Sequence, residues 1–354
     1  MIINNWKREI GKTVGVTLTV GLLASCGTPN TTNSEDSNSS VTSTTESQTP
    51  TVVATTTVLC DLTQRIAEDT IKLNCLLEPG LDPHVYEPLP EDRKAIENAE
   101  LILYSGYGLE PELIKLIEST SNKAPKVAVA QEAVPNPLLG EDDHHNHEED
   151  HSDHSHEQEE HQEEAQGEQV PDPHVWHNAQ NGVKMVEVIE KNLEQLVPEQ
   201  AQLYRQNAQA LKTELSQIDD WIKSQIATIP KRNRQLITTH DSLGYYAQAY
   251  NIPVAGVLQG LSTEEKPTAT RVKELVDQVK ASNVPTIFPE VAVNSKLIET
   301  VAKDAQVKIP AQELYTEGLG EPGSSGDSYP KMLVTNTQII VEGLGGEFIS
   351  FQAP

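Results

Sequence analysis

Short β-branched runs alternate with amphipathic helical stretches along most of this chain, and they do so in two separate series. The first has strand candidates at 51–59, 71–77, 101–104 and 126–129, with helical stretches at 62–67, 91–98 and 112–118 between them. The second has strand candidates at 235–239, 254–258, 286–289 and 307–310, with helices at 242–250, 268–282, 295–304 and 329–342. Strands that follow one another only after a helix pair in parallel, so each series predicts an α/β lobe: a mostly parallel sheet flanked by helices. From 181 to 228 there is no strand signal. Val186, Ile189, Leu193 and Leu196 recur at helical spacing, and after Pro198 the pattern resumes with Leu211, Leu215, Ile218 and Ile222. Pro198 sits where a new helix would start, so two helices are expected, the second about 30 residues long and joining the lobes. The domain plan is therefore an N-terminal lobe at 51–180, linking helices at 181–228 and a C-terminal lobe at 229–354.

The first 50 residues do not belong to that plan. Lys7, Arg8 and Lys12 precede a short apolar stretch at 14–23, and Leu23-Ala24-Ser25-Cys26 closes it. The stretch is too short to span a bilayer and reads as an export signal, residues 1–25. Its ending resembles the lipobox of bacterial lipoproteins, which implies cleavage before Cys26 and lipid on that cysteine; an ordinary signal cut nearby is the alternative. Residues 26–50 are rich in Thr, Ser and Asn, cannot bury enough surface to fold, and read as a disordered tether. Beyond the cytoplasm thiols can stay oxidised. Cys60 and Cys75 would bridge if their strands are neighbours, stabilising the fold by about 3 kcal/mol in the chain-entropy view; two unpaired buried thiols are the other reading.

The chain carries 53 Asp+Glu against 26 Lys+Arg, a net charge of -27. A field this negative repels a phosphate backbone, so nucleic acid is excluded as a partner. Much of the charge lies in one insertion, 141–168, which contains His144, His145, His147, His151, His154, His156 and His161 among acids, with no Lys or Arg. Its apolar content is a single Ala165, so it is expected to be a loop outside the lobes. It is either a solvated acidic insertion or a collector of weakly held metal.

Four histidines lie outside it: His84, His174, His177 and His240. His84 follows the second strand candidate in Asp82-Pro83-His84, His174 follows the loop in Asp172-Pro173-His174, and His240 ends the strand candidate 235–239. Open α/β sheets gather ligands at the carboxyl ends of strands, and a Pro before a His fixes the backbone that carries the imidazole. A lone His is commonly a hydrogen-bonded structural residue; three in such contexts point to a metal. Neutral imidazoles suit Zn(II), with an acid or water as fourth ligand. Asp327, in Gly326-Asp327-Ser328-Tyr329, is the candidate acid, and an N-cap for the following helix is its other reading.

Gly80-Leu81-Asp82-Pro83-His84-Val85-Tyr86-Glu87-Pro88, Asp172-Pro173-His174-Val175-Trp176, Thr239-His240-Asp241-Ser242-Leu243-Gly244-Tyr245 and Gly326-Asp327-Ser328-Tyr329 with Met332 occur in that order. Together they resemble the metal receptors of bacterial zinc and manganese ABC importers, the ZnuA-like solute-binding lipoproteins, from about residue 51 to the C-terminus. The resemblance implies two similar lobes joined by a long helix, with a metal in the cleft. It maps the histidine ligands onto His84, His174 and His240 and the carboxylate onto Asp327. The chain departs from the family's usual pattern after Trp176, where His177 and Asn178 stand; His177 is an extra ligand, or a structural or rim residue. Trp176 is expected to buttress His174. Ser262-Thr263-Glu264-Glu265-Lys266-Pro267-Thr268 resembles an altered family stretch and reads as a helix start.

The expected function is high-affinity capture of Zn(II) outside the cytoplasmic membrane and delivery to an ABC permease, without chemical turnover, by a lipid-anchored monomer. A manganese receptor of the same family and a zinc-dependent hydrolase are the alternatives, with an adhesive surface lipoprotein a further one. A hydrolase needs a general base beside an open water position, and no H-E-x-x-H or comparable pair is present. A manganese site is expected to replace a His with a carboxylate and to lack the His-rich loop.

Overall fold

The computed structural model describes residues 49–142, 168–264 and 266–352. Strand β1 (Thr51–Ala54) is followed by α1 (Thr57–Ala67), β2 (Lys72–Cys75), α2 (Pro90–Asn98), β3 (Leu101–Tyr104), α3 (Pro111–Ser119), β4 (Lys126–Ala128) and the short α4 (Val129–Ala133). The strands form a parallel sheet in the order β2-β1-β3-β4. Side chains alternate across it. Val52, Ala54, Leu101 and Leu103 face the core shared with α1, while Val53 and Ile102 face Ile96 of α2 and Leu113 and Ile117 of α3. Both faces are covered, which is why these strands read as continuous apolar runs.

The strand expected over 51–59 stops at Ala54. The Thr56 hydroxyl accepts the Leu59 N–H at 3.4 Å and caps α1, so Val58, Leu59 and Cys60 are the buried face of a helix. Cys60 thus sits in α1, and it is joined to Cys75 at the end of β2 by a disulfide, Cα–Cα 5.8 Å.

An antiparallel hairpin follows, β5 (Leu139–Asp142) with β6 (Glu168–Pro171), a pairing that the sequence reading did not expect. The insertion it encloses, with all seven of its histidines, lies outside the described residues, as do the signal segment, Cys26 and nearly all of the tether. Next come α5 (Ala179–Leu196) and, after a turn at Pro198–Gln200, α6 (Ala201–Thr228). The 28 residues of α6 span about 42 Å at the usual rise. Its buried stripe of Tyr204, Ala208, Leu211, Leu215, Ile218, Ile222 and Ile226 packs on α1 of the first lobe and on α5. It also packs on the last helix of the second lobe, α10 (Tyr329–Gly343), so one helix joins both.

The second lobe contains β7 (Leu236–Thr238), α7 (Gly244–Tyr250), β8 (Val254–Val257), α8 (Ala269–Ser282) and α9 (Lys296–Ala305) before α10. β7 pairs in parallel with β8. The strands expected at 286–289 and 307–310 are present only as single parallel bridges, Thr238↔Phe288, Thr286↔Lys308 and Glu290↔Leu314. Pro285, Pro289 and Pro310 explain the difference, since a proline gives no N–H to a ladder. The chain still runs in sheet order, β8 beside β7 beside 286–290.

Candidate metal centre

The two Asp-Pro-His segments fold in the same way. Asp82 Oδ1 accepts the backbone N–H of His84 at 3.0 Å, and Asp172 Oδ1 accepts that of His174 at 2.9 Å. Proline fixes φ between acceptor and donor, so the turn closes two residues on and the imidazole leaves it in a set direction. Asp172 Oδ1 also lies 2.9 Å from His174 Nδ1. A carboxylate accepting there places the proton on Nδ1 and leaves Nε2 as the free nitrogen, the usual support for a metal-binding histidine.

Glu290 does the equivalent work in the second lobe. Its Oε1 accepts the N–H groups of Thr239 (2.7 Å) and His240 (3.0 Å), and its Oε2 accepts the Thr316 hydroxyl (2.8 Å) and lies in short contact with His240 Nδ1. His240 Nε2 is thereby turned toward the first lobe. The residue after Thr316 is Glu317.

Among the described residues, His84, His174, His240 and Glu317 bring ligand atoms within 4.8 Å of one another, and all four are buried. His84 Nε2 is 3.2 Å from His174 Nε2 and 3.2 Å from Glu317 Oε2; His240 Nε2 and His174 Nε2 are 2.8 and 3.7 Å from Glu317 Oε1. Ligands about 2.0–2.1 Å from a tetrahedral zinc stand roughly 3.3 Å apart, the scale of these separations. Among the described residues both Glu317 oxygens are buried and meet nothing but these histidines. A buried carboxylate needs a positive partner, and with three imidazole nitrogens converging on it the donor set fits a divalent metal.

The charges agree. Burial pushes the Glu317 carboxyl up, but His240 and His84 outweigh it and hold Glu317 well below the usual carboxylate range. Burial also disfavours charge on His240, yet Glu290 and Glu317 lift it well above the usual imidazole value. His174 is driven well below that value by burial. Burial raises Asp172 to about 7.

Asp327 lies elsewhere, and its assignment from sequence is corrected. Its Oδ2 accepts the Gly323 N–H at 2.9 Å and its Oδ1 pairs with Lys331 at 2.7 Å, near the surface. Lys331, one turn further on, gave Asp327 a local partner that the sequence already displayed. Glu317 is the residue the sequence reading missed. Its one signal was position: an acid closely following the last strand candidate, the same context that singled out the histidines. His177 is not in the cluster; its Nε2 is 3.0 Å from the Thr316 carbonyl, and burial pushes it down to about 3. Trp176 packs edge-on against His174, ring centroids 5.5 Å apart, as a buttress would. Thr268 caps α8 by accepting the Arg271 N–H, as the altered stretch suggested, and Thr263 donates to Asp82 across the lobes at 2.5 Å.

Residues 52–343 match the family model for the periplasmic zinc-uptake complex component A, ZnuA. The chain is 33% identical over 299 residues to the metal ABC transporter substrate-binding lipoprotein ScbA of Streptococcus cristatus, covering 83% of this chain and 88% of that protein. It is 32% identical, with the same coverage, to the manganese ABC transporter substrate-binding lipoprotein scaA of Streptococcus gordonii. The periplasmic zinc binding protein TroA of Treponema pallidum superposes with a TM-score of 0.72 at 29% identity, over 83% of this chain and 99% of that one. These likenesses, with the buried cluster between the lobes, define an extracytoplasmic substrate-binding protein of a metal ABC transporter, which passes its ion to a membrane permease and catalyses no reaction. The chain belongs to the ZnuA family.

Proposed function

We propose that this protein captures Zn(II) with His84, His174, His240 and Glu317 and delivers it to the permease, held to the membrane as a monomer by lipid on Cys26. One observation carries the choice of metal: three buried imidazoles converge on a single carboxylate that has no other partner among the described residues. Nitrogen-rich, four-ligand sites favour zinc, whereas Mn(II) prefers more oxygen. The ligands come from both lobes, so the loaded ion ties them together, and the permease can read that state from the lobes' relative position. The domain limits are those read from the sequence, with a signal at 1–25, a tether at 26–50, lobes at 51–180 and 229–354 and linking helices at 181–228. The insertion at 141–168 acts as a weak collector that raises zinc near the cleft.

A manganese receptor is the second reading. It is favoured by the names of relatives such as scaA and by Glu317, whose two oxygens face different histidines and could both bind. Competitive titration with Zn(II) and Mn(II) separates the two. The zinc reading expects one tight zinc site, its affinity reduced at least about 100-fold in His240→Ala, more than loss of a supporting residue costs, and retained when 141–168 is deleted. Because nitrogen/oxygen sites generally hold Zn(II) above Mn(II), tight Mn(II) binding on its own supports the second reading and weak Mn(II) binding the first, while loss of the tight site with the loop refutes both.

A further inference from the structure

We propose that His177 is a positioning residue that holds Glu317 in the metal cluster from across the cleft. The proposal rests on the reading of that cluster as the metal site. Among the described residues the Glu317 carboxylate meets only the histidines of the cluster, so its backbone and the packing around it decide where it stands relative to them. That backbone is pinned from both lobes. On its own side, Asn336 holds both polar groups of the Tyr315 backbone at 2.9 and 2.7 Å, and Glu290 accepts the Thr316 hydroxyl. On the far side, the Thr57 hydroxyl accepts the Leu319 N–H at 2.8 Å. Between these anchors, the carbonyl of Thr316, which belongs to the peptide that joins it to Glu317, meets His177 Nε2 at 3.0 Å.

A carbonyl only accepts, so His177 donates through Nε2–H. Its Nδ1 is buried and has no hydrogen-bond partner among the described residues. A residue chosen for stability alone would not leave a lone pair stranded in the core, where an unpaired polar atom is costly. An apolar side chain would fill the same space without that cost, but it could not fix the 316–317 peptide. His177 stands three residues after His174 on the same turn. The segment that presents one nitrogen ligand therefore also sets the carboxylate of the opposite lobe, so the geometry of the complete shell depends on both lobes meeting.

The test uses full-length protein and the variants His177→Leu, His177→Gln and Glu317→Gln. Zn(II) affinity is measured by chelator competition, and Co(II) serves as a spectroscopic probe of coordination. Gln can place an amide N–H near the imidazole Nε2 position, whereas Leu fills space and donates nothing. The expected result is a loss of zinc affinity in His177→Leu of about 10–100-fold, the range for residues that support ligands. Its Co(II) spectrum should shift toward that of Glu317→Gln, and His177→Gln should restore both readouts. Should the Leu variant not fold, His177→Met is the second apolar variant. Altered binding in Glu317→Gln with unchanged binding in His177→Leu overturns the positioning role alone. Equal impairment of the Leu and Gln variants with an unshifted spectrum also overturns it, as the mark of a packing defect. Unchanged binding in Glu317→Gln overturns the cluster reading and the positioning role together.

Discussion

The two lobes present their metal-facing side chains in different ways. In the first lobe each histidine is set by its own turn: an aspartate two residues back accepts its N–H, and the proline between them fixes the backbone. In the second lobe the site is set at long range. Glu290 lies 50 residues from His240 and 26 from Thr316, yet it gathers the backbone of Thr239 and His240, the His240 ring and the Thr316 hydroxyl. Local turns make a ligand that survives changes elsewhere. A shared hub makes two ligands that stand or fall together.

The sharpest way to break that contrast is to neutralise one support in each lobe. Asp172→Asn and Glu290→Gln should each weaken zinc binding within the range of about 10–100-fold found for groups that support metal ligands. Glu290→Gln should lie near the upper end, because it disturbs His240 and, through Thr316, Glu317. Equal losses in chelator competition would show that Glu290 is no hub.

A second effect follows from the opposite displacements of two imidazoles. His174, driven well below the usual value, is already neutral near pH 7 and has no proton to give up. His240, lifted well above it, keeps a proton that metal must displace. Zinc affinity should therefore fall as pH drops and should continue to rise above pH 6.5, by about tenfold per unit for one displaced proton. Calorimetry in buffers of different ionisation enthalpy counts that proton. A pH-independent affinity between 6 and 8 would contradict the lifted value.

The smallest expected effect is at Asp327. Because it pairs with Lys331 near the surface, Asp327→Ala should leave zinc affinity unchanged by the same titration, and a loss like that of Glu317→Gln would restore it as a ligand.

The same contrast explains how far the sequence could be read. His84, His174 and His240 were visible because His84 and His174 follow Asp-Pro and His84 and His240 follow strand candidates, so local chemistry displayed them. The strands of the first lobe were visible because Val52, Val53, Leu101, Ile102 and Leu103 are buried on both faces. In the second lobe the prolines at 285, 289 and 310 reduced two strands to bridges, and Glu317 follows the last of these with no motif to mark it. Its position depends on contacts with Thr57, His177 and Asn336, which are distant in sequence. Asp327 was chosen instead because a Gly-Asp-Ser before a helix matched a family pattern. Cys60 was placed beyond a strand because Val58 and Leu59 extend an apolar run, although Thr56 already signalled a helix start.

Function is proposed to rest on a zinc ion held by two histidines of one lobe and a histidine and a glutamate of the other. A crystal structure of the zinc-loaded protein, with anomalous data collected at the zinc edge, tests it most directly. One strong peak is expected about 2.0–2.2 Å from the Nε2 atoms of His84, His174 and His240 and from a Glu317 oxygen. A peak beside Asp327, or one that leaves Glu317 outside the shell, would contradict it.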